Sequence, residues 1–326
     1  MNRNKIASPL LLLLAAMLWG FAFAAQDAAS GVPAFALGMS RSVLGCIFLS
    51  FVIVVFDKIR GNGRHLISKR GVDFTRKELI GGVITGAILT VASAFQQLGI
   101  NGGTDGGKAA FITAIYVVLV PIYSLAIKKR AGINIWISVV ISIIGFYLLC
   151  ISEDFNVMPS DMLVLASSLL FPLHILFIDY FSPKVDGIRL SCIQFFTAAI
   201  LNALLALIFE GGLHLYLVAS SILPVLYLGI VSSGIAYTLQ ILGQKGVNPS
   251  AASIILSLES VFGILGTALF LDKTLSAREY LGCFIVLVAV ILSQLEKETV
   301  IKYIRKNKNE AKNIEEQNST DNNLDI

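Results

Sequence analysis

Stretches of about 20 apolar residues, long enough to cross a hydrocarbon layer about 30 Å thick as a helix, recur along residues 6–295 almost without charge. No single soluble core can hide that many. Runs bounded by charges or Gly/Pro clusters fall at 6–25, 33–56, 79–100, 108–127, 132–151, 162–179, 190–209, 221–243, 249–271 and 280–295. Lipid offers nothing to an open backbone N–H or C=O, so these runs must be helical. They are also too long and too uniformly apolar for barrel strands. Only 14% of the 326 residues are charged, against about a quarter in soluble domains. The pattern predicts an all-α integral membrane protein with ten transmembrane helices.

Ten spans divide the linkers into two alternating sets, and the Lys/Arg residues fall 21 to 3 between them, with Arg41 alone inside a span. Basic residues mark the cytoplasmic side, so both termini are predicted there, in a multi-pass protein of the cell (inner or plasma) membrane. The first run follows a basic start and resembles a signal peptide. Its length and the nine runs behind it favour an uncleaved first helix. Residues 296–326 turn rich in Lys, Glu, Asn and Gln, the composition of a disordered cytoplasmic tail, with room for one short helix near Val300–Ile304.

Several motifs point away from catalysis. Gly102 to Ala109 nearly spells a phosphate-binding loop, but Ala109 stands where the metal-binding hydroxyl belongs and a span, not a strand, precedes it. A glycine-rich turn between helices is the better account. His65, His174 and His214 lie in separate segments, and Cys46, Cys150, Cys192 and Cys283 sit in apolar runs without metal or disulfide spacing. The sequence calls for no cofactor and no metal, and its placement of charge suits no nucleic acid.

Phe95–Pro121 aligns without a gap on Tyr237–Gly263, setting Lys108-Ala109-Ala110 on Ser250-Ala251-Ala252. Each unit would hold the third and fourth helices of a five-helix half, with halves at 6–151 and 162–295. Five is odd, so the halves insert in opposite senses. Inverted repeats of this kind mark secondary transporters, which bind substrate near the midplane between halves.

Polar groups at membrane depth are costly and therefore suspect as functional. Arg41 and Glu259 each lie about nine residues into a span, near the bilayer centre. His174, Gln194, Asn202, Gln96, Gln97, Tyr116, Tyr237 and Gln240 are further polar groups inside spans, and Trp19 beside Gly20 leaves its ring room to face a cavity. The candidate substrate-binding set is Trp19, Arg41, Gln96, Tyr116, His174, Tyr237 and Glu259. A buried Arg41–Glu259 pair serving only as helix glue is the competing account. Gly82 with Gly86, and Gly263 with Thr267, have the small-residue spacing that lets helices approach closely.

With these residues in view, the chain resembles the EamA-type members of the drug/metabolite transporter superfamily over about residues 8–295. Trp19-Gly20-Phe21-Ala22-Phe23 is similar to that family's WGxxF signature, and Arg41 stands where relatives commonly carry an arginine. The stretch from Ala109 to Pro121 resembles their fourth-helix pattern. Pro249-Ser-Ala-Ala-Ser followed by Leu258-Glu259-Ser260-Val261 resembles the ninth, with Ser260 in place of the usual proline and Asp272 in place of a closing glutamate. The resemblance implies a secondary, ATP-independent carrier, often an exporter, for amino acids, their derivatives or other small metabolites, working by alternating access. Its partners would be that metabolite and the bilayer, with a coupling proton or counter-substrate and a homodimer left open. An intramembrane enzyme acting on a lipid-linked substrate, or a membrane sensor, are the alternatives, and the inverted repeat favours transport over both.

The charge distribution yields a direct test of topology. In sealed cells, a cysteine placed at Gly61 is expected to resist a membrane-impermeant thiol reagent and to react only after permeabilisation.

Overall fold

Helix ends show most directly how the chain folds. In the computed structural model, which describes residues 3–60, 67–68, 71–72, 74–129, 131–150, 157–270 and 276–294, ten apolar spans follow one another. They are Ala7–Ala28, Ala34–Ile59, Arg76–Asn101, Gly106–Ala126, the shorter Ile133–Leu149, Pro159–Lys184, Gly187–Glu210, Ile222–Gln244, Pro249–Gly266 and Ala277–Gln294. Hereafter they are spans 1 to 10. Spans 3, 6, 7 and 10 begin three residues earlier than hydropathy alone places them, because a polar first turn carries the cap. Thr75 and Glu78 form a capping box at span 3, Asp161 accepts from the Met158 N–H at span 6, Asp186 caps span 7, and Ser276 pairs with Glu279 at span 10. Such caps satisfy backbone donors that a helix leaves open where lipid gives way to water.

Among the described residues, the strands are those of a two-residue-per-strand hairpin between spans 2 and 3, Ile67 paired with Val72. The sequence-predicted tail at 296–326, its short helix near Val300–Ile304 and Asp272 lie outside the described residues. The glycine-rich segment before span 4 is a tight turn: Gly103 has φ +106°, a left-handed conformation that suits glycine, and Asp105 caps the helix that follows.

Span packing obeys an exchange of each span for the one five places later. Span 1 packs on spans 8 and 9, as span 6 packs on spans 3 and 4. Span 2 packs on spans 7 and 8, as span 7 packs on spans 2 and 3, while spans 5 and 10 pack on each other. This is the arrangement of two inverted five-helix repeats. Spans 4 and 9 are both broken at the matching place. Gly106–Thr113 ends at Ala114 and Pro249–Leu256 ends at Ser257, each eight residues long and 143 residues apart. The ungapped sequence alignment, with its offset of 142, is therefore one residue out of register.

Span 8 supplies the reason that no single offset holds. Gly86 of span 3 abuts the Gln194 carbonyl and Gly229 of span 8 abuts the Arg41 carbonyl, an offset of 143. Past Tyr227–Ala236, which is a π-helix, the pairing becomes Gly99 with Gly243, an offset of 144. A π-turn inserts one residue into a helix, and span 8 has gained that residue.

Small residues set the closest approaches. A Cβ on Gly145 would lie 2.6 Å from Val286 Cγ2, and one on Gly282 would lie 2.8 Å from the Gly145 carbonyl oxygen. Because this contact between spans 5 and 10 is backbone on backbone, Gly282→Val is expected to destabilise the protein by about 1–3 kcal/mol. Thermal unfolding in detergent checks it, and an unchanged melting temperature would show that the two helices slide apart freely.

Candidate functional site

One helical stripe of span 1, Trp19, Ala22, Phe23 and Gln26, faces a cavity with about 550 Å³ of non-atom space up to its mouth. Its counterpart on span 6 is Phe171, His174 and Ile175, which match Trp19, Ala22 and Phe23 at an offset of 152. Thr113 and Tyr116 of span 4 match Leu256 and Glu259 of span 9 at 143, and Ser93 and Gln96 of span 3 match Tyr237 and Gln240 of span 8 at 144. The cavity thus straddles the pseudo-two-fold axis. Its walls are symmetric in position and asymmetric in chemistry.

All seven residues selected from sequence, Trp19, Arg41, Gln96, Tyr116, His174, Tyr237 and Glu259, line this cavity, as does Gln240. Gln194 lies behind His174, whose Nε2 is 3.0 Å from Gln194 Oε1. Asn202 is turned away and donates to the Ala198 carbonyl. Sequence reasoning missed Gln26, Ser93, Thr113 and Ser232 on the walls. Gln26 was legible, since it lies seven residues beyond Trp19 and therefore on the same helical face.

The two charges of the cavity are held apart. Arg41 Nε donates to Ser233 Oγ at 3.1 Å and Nη2 to Ser232 Oγ at 3.0 Å, so the π-helix of span 8 supplies both hydroxyls. Glu259 is 5% exposed, and its carboxyl lies beside the Tyr116 hydroxyl of span 4, its hydrogen-bonding neighbour in the cavity. No ion pair joins Arg41 to Glu259. Among the described residues, ion pairs lie instead near the membrane faces: Arg189–Asp57 and Lys129–Asp179 on the face bearing the basic loops, and Lys108–Asp161 on the opposite one.

Aromatic rings fill the space between. Tyr237 is their centre, with its ring 4.5 Å from Trp19, 5.4 Å from Phe195 and 5.8 Å from His174. Trp19 Nε1 donates to the Ser232 carbonyl at 3.4 Å. A run of amides leaves the cavity between spans 1, 3 and 4. Gln26 Nε2 donates to Gln96 Oε1 (3.1 Å) and Gln97 Oε1 (3.2 Å), Gln96 Nε2 to Thr113 Oγ1 (2.9 Å) and Gln97 Nε2 to Asn101 Oδ1 (2.8 Å). Asn101 Nδ2 then donates to the Val32 carbonyl in the loop after span 1. This arrangement can bind a small solute through a guanidinium, a carboxylate, neutral amides and ring faces at once.

Comparison with known proteins agrees with this architecture. The profile of the EamA-like transporter family matches twice, at residues 7–151 and 158–295. The chain belongs to the EamA-like transporter family. An uncharacterized transporter of Archaeoglobus fulgidus is 29% identical over 90% of this chain and 87% of its own. The uncharacterized inner membrane transporter YicL of Salmonella typhimurium is 23% identical over 87% of this chain and 94% of its own. A solved crystal structure shares the fold with a TM-score of 0.70 at 16% identity, covering 88% of this chain and 96% of that one. Family membership makes the chain a multi-pass membrane transporter.

If Arg41 and Glu259 do not pair, their removal should be energetically independent. The stability changes of Arg41→Met and Glu259→Gln are expected to add to within about 0.5 kcal/mol in the double variant. Detergent melts of the four proteins measure this, and a coupling well above that value would mean that the charges sense each other directly.

Proposed function

We propose that this protein is a secondary, ATP-independent transporter of a small metabolite carrying both a carboxylate and an ammonium group, such as an amino acid or derivative. It would work by alternating access as an exporter in the plasma membrane, with the basic face and both termini in the cytoplasm. The observation that carries the reading is a cavity built from matched positions of both halves and lined by an arginine and a glutamate that form no ion pair with each other. A buried charge is costly in lipid. Arg41 is held by serine hydroxyls and retains donors for a carboxylate, while the Glu259 carboxyl, beside the Tyr116 hydroxyl, faces the cavity and can accept from a donor on the solute.

The rings of Trp19, Tyr237 and Phe171 would take the solute's apolar part, since an ammonium over a ring face and an apolar group on an aromatic wall are both favourable. The outward sense of transport follows the family resemblance, and the topology follows the 21 to 3 split of basic residues. Because the two halves are inverted copies, exchanging their conformations would open the same cavity to the other side without any change in its lining.

Paired metabolite profiling of cells that express and lack the protein, followed by transport of each enriched solute into proteoliposomes, tests the proposal. The expected solutes carry both charges, and Glu259→Gln is expected to remain folded while slowing their transport by about tenfold or more. Wild-type rates in Glu259→Gln at every pH tested would remove that residue from the mechanism. Transport confined to uncharged solutes would overturn the substrate class.

A further inference from the structure

The two-fold relation allows each half of the route across the membrane to be compared with its own image. On the side opposite the basic loops, the amide run extends from the cavity wall at Gln26 and Gln96 to Gln97 and Asn101. Gln26, Gln96 and Gln97 are 4%, 6% and 4% exposed, and each amide is bonded to another polar group of the run. The images of Gln26 and Gln97, at the offsets of 152 and 144 established above, are Ile178 and Ile241. Both are fully buried in one apolar cluster with Phe181 and Leu190 toward the basic face. The image of Thr113 is Leu256, also buried. Gln96 keeps an amide in its image, Gln240, whereas Gln26, Gln97 and Thr113 are answered by hydrocarbon, so equivalent positions make the side of the amide run the more polar of the two.

The two closures differ physically. Parting an amide from an amide exchanges each bond for one to water, at small net cost. Parting Ile178 from Ile241 exposes apolar surface to water, which is unfavourable in proportion to area. A buried amide run is also an expensive way merely to pack helices, because every donor and acceptor in it must be matched.

We infer that the Gln26–Gln96–Gln97–Asn101 run lines the outer half of the substrate path and is its wettable gate, with Ile178 and Ile241 forming a dry gate on the cytoplasmic side. The inference rests on the proposed transport function and orientation. Its neutral donors and acceptors pass polar solutes of either charge, leaving selection by charge to Arg41 and Glu259. A solute leaving toward the outside would be handed from the Gln26 and Gln96 side chains, which line the cavity, to Gln97 and then Asn101 at the end of span 3.

The test uses the full chain with its four native cysteines replaced by alanine, single new cysteines, and a membrane-impermeant methanethiosulfonate applied outside sealed cells. Gly31→Cys, in the loop after span 1 with nothing within 4 Å of its Cβ position, reports orientation alone. It is expected to react fast, and its failure would refute the orientation and this assignment of sides with it. Given that control, Gln97→Cys and Asn101→Cys are expected to react from outside, while Ile178→Cys and Ile241→Cys are not. Reaction at the isoleucine positions but not at Gln97 would reverse the two gates.

A second measurement covers variants that fold poorly as cysteines. With Ser93→Cys as a reporter inside the cavity, converting the amide gate to its image by Gln26→Ile and Gln97→Ile is expected to slow labelling from outside by about tenfold or more, since opening must then wet two isoleucines. Unchanged labelling in a protein of normal membrane abundance would overturn the proposal. The accessibility assays need no substrate, so a failure to find a transported zwitterion would leave their result standing.

Discussion

Lipid cannot hydrogen-bond a polypeptide, and everything else in this protein follows from that constraint. It forces each crossing to close its own backbone in a helix, and several spans begin at a cap made by local side chains, Thr75, Asp105, Asp186 and Asn248 among them. It also fixes the consequence of repeating an odd number of crossings: a five-helix unit used twice must face both ways. The matched breaks at Ala114 and Ser257 sit in spans where close neighbours on several sides shield the backbone from lipid.

The scaffold is symmetric, whereas the chemistry placed on it is not. Trp19 answers Phe171, Ala22 answers His174, and Tyr116 answers Glu259. One half therefore contributes Arg41 and most of the amides, and the other contributes Glu259, His174 and Tyr237. The π-helix of span 8 is where the asymmetry enters the backbone itself. Its extra residue shifts the register from 143 to 144, and Ser232 and Ser233 within it hold Arg41. π-turns are short on hydrogen-bond quality and persist where they serve a site.

The sequence made the spans, the repeat and seven wall residues legible, because burying a charge or an amide in lipid is so costly that composition alone exposes it. Arg41, Glu259 and His174 stand out of their apolar runs for this reason. What stayed hidden was of two kinds. Ser232, Ser233 and Thr113 carry small hydroxyls that helices in lipid tolerate anywhere by bonding back to their own carbonyls, as Thr90 and Ser40 do here, so nothing marks the ones that face a cavity. The alignment register was hidden because a π-turn leaves no signature in composition. Whether Arg41 and Glu259 meet was also beyond spacing, since it depends on which wall each side chain reaches across.

Glu210, near the end of span 7, accepts the Phe35 and Ala36 amides at 2.8 and 2.9 Å and so caps span 2 from the other half of the molecule. Spans 2 and 7 form one of the pairs that meet across the pseudo-axis; spans 4 and 9 form another, and spans 5 and 10, joined at Gly145 and Gly282, a third. Points on a rotation axis turn without travelling. In the alternating access proposed above, these contacts would stay closed while the rest of each half swings, much as the pin of a pair of scissors stays tight while the blades part. Large amplitude at the membrane faces would then require only small strain at the centre.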